Sequence, residues 1–226
     1  VSSESYYFSS DVLGFINNTD NAIFLENKNI AVCDKTGLSI YDFSGKKISL
    51  PITKISTKFS QSNKEHFAHY TLKEINEQTT LCNDSFENEI KQTANLIQTA
   101  QNIFVTGSGT SYNAGILAKF VFSKYAQIKL DVLVSSEVSF LSHEISENSV
   151  FLAISQSGES ADVLSAVSIA KSKKCKIVSI VNNLESSLAK ISDVTIGIDC
   201  GPEIGVAATK SYTAQMLVLY RILSAL

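Results

Sequence analysis

The chain has 226 residues, of which 44% are hydrophobic and 18% charged, and its formal net charge is −3 at pH 7. This length allows one generous domain, or one domain and a smaller part, with a substantial buried core. The slightly acidic balance excludes a nucleic-acid-binding protein that depends on phosphate contacts. No apolar run reaches the roughly 18 residues of a membrane span, and the first residues lack the layout of an export signal, so we expect no membrane partner.

Short β-type runs separated by turn residues fill residues 1–60. The apolar parts of these runs are Ala22–Leu25, Ile30–Cys33, Leu38–Tyr41 and Ile48–Leu50. Alternation of such runs with turn residues predicts a meander of small antiparallel strands. Residues 61–100 are more polar, and apolar residues recur there at helical spacing, which predicts a helical linker.

From Asn102 onward the sequence alternates between strand, loop and helix. The five predicted strands are Ile103–Val105, Leu130–Val134, Val150–Ile154, Ile177–Val181 and Val194–Ile198. Helices are predicted up to Lys124, through about Lys171 and from near Thr209, with a weaker helical segment after the second strand. Continuous apolar strands that alternate with helices indicate a parallel sheet covered on both faces. We therefore predict a flavodoxin-like, doubly wound α/β domain with a five-stranded parallel sheet at 101–226.

The strongest local signal is the hexapeptide S-Q-S-G-E-S at Ser155–Ser160, between the third strand and the next helix. The first N–H groups of a helix have no partner within the helix and favour anions, phosphate above all. Hydroxyls surround this position, and Gly158 would let the backbone approach a ligand. The alternative interpretation is an ordinary serine-rich helix cap.

A second hydroxyl-rich loop, Gly107–Ser111, follows the first strand. It lacks the dinucleotide fingerprint, which requires glycine where Tyr112 stands, and no G-K-[ST] sequence follows. Loops after strands one and three would face one crevice at the point where the strand order reverses. This arrangement predicts a small phosphorylated ligand with hydroxyls, such as a phosphosugar.

A third loop, Gly201–Lys210, follows the fifth strand, and two interpretations of it stay open. It could wrap the crevice, or it could simply begin the last helix with Thr209 as the cap.

A metal site could be suggested by three residues of the linker: His66, His69 and Glu74. We favour a polar linker face, because no third ligand has matching spacing, and we predict no metal.

Three motifs resemble those of the sugar isomerase (SIS) domain in the same order: Gly109–Gly115 (G-T-S-Y-N-A-G), Ser155–Ser160, and Glu203–Lys210 (E-I-G-V-A-A-T-K). Residues 66–78 resemble the interdomain linker of the glucosamine-6-phosphate synthase family, and residues 9–60 resemble the last strands of its glutaminase domain. The resemblance implies three parts: 1–60 as the C-terminal remnant of a glutaminase (class II amidotransferase) domain, 61–100 as the linker, and 101–226 as the first SIS domain.

The same resemblance implies a set of phosphosugar contacts. Its phosphate contacts fall on Ser111, Ser155, Gln156, Ser157 and Ser160. Thr110 and the backbone of Val206 would contact the sugar, as would the position of Ala208, where the family often has serine. The family has threonine where Ser160 stands, and this difference keeps the hydroxyl.

The resemblance implies an enzyme that converts fructose 6-phosphate and glutamine to glucosamine 6-phosphate and glutamate, as a cytoplasmic homodimer without metal or organic cofactor. The family's glutaminase uses an N-terminal cysteine, and its isomerase uses residues of a second SIS domain and the C-terminus. The first residue here is Val1, which is not such a cysteine, and the sequence ends in an apolar run at Leu226 without a second SIS domain. We therefore expect an internal fragment that has no catalytic residue, is inactive alone, and binds fructose 6-phosphate or glucosamine 6-phosphate.

Three other functions stay open. One is a non-catalytic SIS module that senses a phosphosugar. Such regulators often carry a basic helix-turn-helix, whereas residues 1–60 are predicted to form strands. A related SIS deglycase or isomerase is another, although it would lack the glutaminase-like strands. The third is a truncated partner subunit without activity.

The cysteines are scattered without a C-x-x-C pair, which is typical of reduced, cytoplasmic thiols: Cys33, Cys82, Cys175 and Cys200.

Overall fold

A computed structural model describes residues 5–9, 14–15, 18–35, 37–55, 64–81 and 84–226. The chain divides into two compact units, Val1–Ser62 and Asn63–Leu226. Within the described ranges, no helix is both long and apolar enough to cross a lipid bilayer.

The first unit contains short antiparallel strands in two small sheets. One sheet pairs β1 with β5, and the other is a meander in the order β2-β3-β4. The strands are β1 (Asn21–Ala22), β2 (Asn29–Asp34), β3 (Gly37–Asp42), β4 (Lys47–Ile48) and β5 (Thr53–Lys54). The predicted antiparallel meander is confirmed. Two of the predicted runs are shorter as strands than expected: only the first residue of Ala22–Leu25 and of Ile48–Leu50 lies in a strand, and Phe24 and Leu25 are exposed.

The second unit is built on a five-stranded parallel sheet in the order β7-β6-β8-β9-β10. Its strands are β6 (Asn102–Gly107), β7 (Asp131–Val134), β8 (Ser149–Ser155), β9 (Lys176–Val181) and β10 (Val194–Gly197). All seven residues of β8 are buried, as expected for a central strand covered on both faces. The predicted flavodoxin-like, doubly wound sheet is confirmed, and the strand order reverses between β6 and β8.

Helices cover both faces of this sheet. They are α1 (Tyr70–Glu77), α2 (Glu87–Thr99), α3 (Thr110–Ala126), α4 (Ala161–Ser172), α5 (Ser187–Ile191) and α6 (Lys210–Ala225), with 3-10 segments at Gln78–Thr80 and Ser135–Leu141. The apolar sides of α2, α3 and α6 share one core cluster with the sheet. The second cluster lies on the opposite face, where α4, α5 and Val138 of the longer 3-10 segment pack around Phe104 and Phe151.

Helix α2, which lies within the predicted linker, belongs to the packed core of the second unit. Ile90 and Ile97 on its inner side are buried in the same cluster as α6 and the sheet. The N-cap residue Phe86 also packs against this cluster, close to Gly197 at the end of β10. The helical prediction for this segment is confirmed, whereas its packing is that of a core helix.

Candidate functional site

A cavity of about 200 Å³ opens where the strand order reverses. The chain leaves β6 toward α3 on one face of the sheet and leaves β8 toward α4 on the other, so the two connecting loops diverge there. Ligands of open α/β sheets bind in such a crevice at the carboxyl ends of the strands. The cavity is lined by Ser108, Thr110, Ser111, Ile154, Ser155, Gln156, Ser157 and Ser160.

Six of the eight site residues named from the sequence line this cavity, from Thr110 and Ser111 in the first loop to Ser160 in the second. The lining also includes Ser108 and Ile154, which are not among the residues predicted from the sequence. Ser108 lies in the same glycine- and serine-rich loop, so the loop composition already pointed to it. The lining does not include Val206 and Ala208, which lie in the third loop, Val206 with its side chain fully exposed.

Internal hydrogen bonds hold the loop from Ser155 to Ser160 in shape. The Ser155 hydroxyl accepts from the Gly158 amide at 3.0 Å and lies 3.5 Å from the Ser160 hydroxyl. The Ser157 hydroxyl accepts from the Glu159 amide at 3.2 Å. In turn, Glu159 accepts from the Ser187 amide at 2.7 Å, which anchors the loop to α5. The hydroxyls are therefore held in place before any ligand arrives.

Gly158 is required at its position for two reasons. Its φ is +70°, in the left-handed region that residues other than glycine seldom adopt. A Cβ atom there would also lie 2.2 Å from the Ser186 hydroxyl and 2.5 Å from its Cβ. The backbone can therefore pack against the start of α5 only without a side chain, which fixes the path of the loop around the cavity.

The two helices that begin at the cavity have no side-chain cap. Ser160 is the N-cap residue of α4, but its hydroxyl makes no capping hydrogen bond, and the N-cap of α3 is Gly109. By contrast, the Ser186 hydroxyl caps α5 by accepting from the Ala189 amide at 3.3 Å. The structure thus contradicts the alternative of an ordinary serine cap at Ser160. It leaves the first amides of α3 and α4 available to an anion.

A close approach at Gly107 brings α3 to the rim of the cavity. A Cβ atom at Gly107 would lie 2.8 Å from the backbone of both Ser111 and Tyr112. The first turn of α3 therefore folds back onto the end of β6, which buries Ser111 beside the cavity. The neighbouring Thr106 hydroxyl contacts the Ser135 hydroxyl at 3.0 Å and ties this edge to the start of the 3-10 segment after β7.

The third loop begins the last helix in a way that neither interpretation of the sequence anticipated. Thr209 is the N-cap residue of α6, but its side chain makes no capping bond. Glu203 does so instead, since its carboxylate accepts from the amides of Thr209 at 2.9 Å and Ser211 at 3.2 Å. A carboxylate at a helix N-terminus is also favoured by the helix dipole. Glu203 therefore closes the loop 203–209 on itself.

Asn182, directly after β9, joins the third loop to the cavity. Its backbone amide donates to the Gln156 carbonyl at 3.0 Å. Its side chain donates to the Gly201 carbonyl at 2.8 Å and accepts from the Cys200 amide at 3.2 Å. One residue thus holds the cavity loop and the start of the third loop together. Asn182 is not among the site residues predicted from the sequence.

The cavity offers hydroxyls, one carboxamide and the free amides of two helix N-termini. These groups donate hydrogen bonds and carry partial positive charge, so the site suits a small anion such as a phosphate group. Among the described residues, no group of three or more His, Cys, Asp or Glu side chains could hold a metal ion. The carboxylate of Glu74, one of the metal candidates, instead accepts hydrogen bonds from backbone amides.

The chain is similar over most of its length to enzymes of one kind. Glutamine–fructose-6-phosphate aminotransferase (isomerizing) of Thermotoga maritima is 38% identical over 222 residues, which are 94% of this chain and 37% of that enzyme. The Pyrococcus horikoshii enzyme of the same name is 35% identical over 218 residues, with coverages of 94% and 36%. The chain thus spans little more than a third of the length of these relatives.

One solved structure of an enzyme of this kind is also similar. The C-terminal domain of glucosamine-fructose-6-phosphate aminotransferase from Francisella tularensis superposes with a TM-score of 0.61 at 31% identity, covering 73% of this chain and 50% of that one. These similarities confirm the resemblance carried by the three motifs. Residues 96–225 match the SIS domain and include both cavity loops. Because this match spans more than half of the sequence, the chain belongs to the SIS domain family.

Proposed function

We propose that this chain is the phosphosugar-binding part of a glutamine–fructose-6-phosphate aminotransferase. The main support is the cavity lined by serine and threonine residues, at which two helices begin without side-chain caps. The similarity to the Thermotoga maritima enzyme over 94% of the chain supports this choice of enzyme among SIS proteins. The whole enzyme would convert fructose 6-phosphate and glutamine to glucosamine 6-phosphate and glutamate.

In this proposal the phosphate group occupies the cavity. Its oxygens accept from the first amides of α3 and α4 and from surrounding side chains, and hydrogen bonds to a charged group contribute about 1.5–3 kcal/mol each. The phosphate contacts are Ser111, Ser155, Gln156, Ser157 and Ser160. Thr110 lines the same cavity and would contact the sugar. Val206 and Ala208 would complete the sugar contacts from the third loop.

The parts of the chain have distinct roles in this proposal. Residues 1–60 are the end of a glutaminase domain of the amidotransferase class, 61–100 the linker and 101–226 the first SIS domain. The antiparallel strands of the first unit support the first assignment. We further propose, on the family resemblance, that the enzyme is a cytoplasmic homodimer. Sedimentation of the purified chain and enzyme tests the dimer.

Replacement of Ser157 by alanine tests the proposed site. The change removes one hydroxyl from the cavity, so fructose 6-phosphate should bind roughly 10- to 150-fold more weakly. Titration calorimetry with the 226-residue chain measures this affinity, and a melting curve of each protein shows whether the fold is intact. Ser172→Ala, at the far end of α4, is the matched control and should bind as wild type does.

Three ligands separate recognition of the phosphate from recognition of the sugar. Fructose 6-phosphate and glucose 6-phosphate should both bind, and fructose should bind poorly because the helix ends would stay unpaired. Equal affinity of fructose and fructose 6-phosphate would contradict a phosphate site in this cavity. So would a Ser157→Ala protein that melts at a lower temperature yet binds as tightly as wild type.

A further inference from the structure

Helix α1 contacts the third loop through one buried carboxylate. Glu74 accepts from the backbone amide of Ile204 at 2.6 Å and from that of Gly205 at 2.9 Å. Its side chain is only 3% exposed. A buried carboxylate is retained where hydrogen bonds or ion pairs compensate its lost hydration, and here two backbone donors of a loop do so.

Ion pairs of α1 add a second link to the third loop. Lys210, the first residue of α6, is buried and pairs with Glu77 of α1 at 2.6 Å. Lys73, also buried, pairs with Glu65 at 2.8 Å and lies 3.7 Å from Glu77. Helix α1 therefore holds the third loop at Ile204–Gly205 through Glu74 and holds its last residue through Glu77.

Gly205 shows how closely the helix and the loop fit together. A Cβ atom at this position would lie 2.4 Å from a Glu74 carboxylate oxygen and 2.8 Å from the Thr71 hydroxyl. The loop can approach α1 only because residue 205 has no side chain. Val206, the next residue, is thereby presented with its side chain in solvent.

The loop held in this way leaves the sheet at the same edge as the cavity. It follows β10, and parallel strands end together at one edge of a sheet. Asn182 fixes its first residues to the Gln156 carbonyl beside the cavity. The third loop is thus attached to the cavity at one end and to α1 in the middle.

We infer that Glu74 is a positioning residue: it orders the loop 203–209 so that the loop can contact the sugar of a phosphosugar whose phosphate lies in the cavity. The inference rests on the proposed function. Glu74 lies in the H-F-A-H-Y-T-L-K-E-I-N-E-Q segment, to which the proposed site gives no role of its own. Its effect is on the sugar end of the ligand, whereas Ser157 acts on the phosphate end.

The test compares two ligands on the 226-residue chain. Fructose 6-phosphate engages both the cavity and the loop, while inorganic phosphate engages the cavity alone. Glu74→Ala should weaken fructose 6-phosphate binding about tenfold and change the phosphate affinity less than about twofold. Glu74→Gln keeps a carbonyl acceptor of equal reach and should recover most of the loss. Gly205→Ala, which pushes the loop from the other side, should act like Glu74→Ala.

Two controls guard against a general loss of structure. Glu147→Gln, at an exposed carboxylate of the same unit, should leave both affinities unchanged. Hydrogen exchange at the amides of residues 204 and 205 should speed up in Glu74→Ala, while the core strand β8 stays protected.

The possible results are distinct. Unchanged fructose 6-phosphate affinity in Glu74→Ala, with wild type binding this ligand, overturns the positioning role alone. An equal loss for phosphate and for fructose 6-phosphate also overturns it, because Glu74 would then support the cavity as a whole. A wild-type chain that binds neither ligand overturns the proposed function and this inference with it.

Discussion

At the residue scale, the cysteines differ sharply in their surroundings. Cys175 and Cys200 are buried free thiols, whereas Cys33 is exposed. Burial raises the pKa of Cys175 to about 12, and the nearby Asp193 carboxylate acts in the same direction. Burial likewise raises the pKa of Cys200 to about 12, with Glu203 contributing. Since the thiolate is the reactive form, both buried thiols are expected to be inert at neutral pH.

Alkylation kinetics test this difference. At pH 8 Cys33 should react with iodoacetamide within minutes, and Cys175 and Cys200 should react only after denaturant is added. Peptide mass spectrometry at successive times resolves the sites. Rapid labelling of Cys175 in the folded chain would show that this thiol is accessible.

The raised thiol pKa values also predict an alkaline limit to stability. In the unfolded chain the thiols ionise near their ordinary pKa of 9.0, while in the folded chain they stay protonated up to about pH 12. The folded state therefore binds more protons in this range, and the free energy of unfolding falls as pH rises from about 9 to about 12. Cys175→Ala should make this fall shallower in denaturant titrations at pH 7 and pH 10. An identical pH dependence in both proteins would show that ionisation of Cys175 does not cause the fall in stability.

Residue patterns reveal some site residues and hide others. The six cavity residues could be predicted because each motif is local and follows an apolar strand. Glu74 could not be assigned its role, since its partner Ile204 lies 130 positions away and no periodicity links the two. Asn182 was hidden for the same reason, because its contacts depend on how three loops meet at one sheet edge.

At the element scale, the start of α4 differs from the start of α5. Both helices have a serine at the N-cap, but only Ser186 makes the capping hydrogen bond. Ser160 lines the cavity instead. A serine at the N-cap position therefore does not always make the capping hydrogen bond. Ser160 and Ser186 can be compared directly, because they occupy the same position in two helices.

Alanine replacement of each serine separates capping from binding. Ser186→Ala should lower the free energy of unfolding by about 1 kcal/mol, because a capping bond is lost. Ser160→Ala should change it by less than about 0.5 kcal/mol but weaken fructose 6-phosphate binding severalfold. Urea unfolding and calorimetry measure both quantities. If the free energy of unfolding of Ser160→Ala falls by about 1 kcal/mol while its affinity for fructose 6-phosphate is unchanged, Ser160 is an ordinary helix cap.

Element types in the second unit follow from the sequence wherever the elements are long. The five strands are apolar because both faces of a parallel sheet are covered, so each one is evident. Helix α5 has only five residues, too few for a periodicity to show, and it was not predicted. The weak helical segment predicted after β7 is a 3-10 stretch, Ser135–Leu141.

At the scale of the whole molecule, the two units differ in how well they are covered. The second has two extensive core clusters around its sheet. In the first, β1, β4 and β5 have only two residues each, and Phe24, Phe43 and Ile52 are exposed. Such short strands with bare apolar side chains open easily, so the first unit should be the less stable one.

Limited proteolysis tests this order of stability. Trypsin or chymotrypsin should cut within residues 1–62 first and leave a resistant product that contains residues 70–226. Mass spectrometry of the products over time identifies the cuts. Survival of an intact first unit after cleavage inside the second would reverse the predicted order.

Helix α2 decides where an autonomously folding piece can begin. The similarity to the SIS domain begins at residue 96, inside α2, yet Ile90 fills the core and the Phe86 ring lies against Gly197 of β10. A chain shortened to residues 96–226 would keep both cavity loops, but it would lose Phe86 and Ile90. The apolar side chains of α6 and β10 that these two residues cover would then be exposed to solvent. We expect it to aggregate or to melt without cooperativity, while residues 64–226 should melt in a single sharp transition that calorimetry can record.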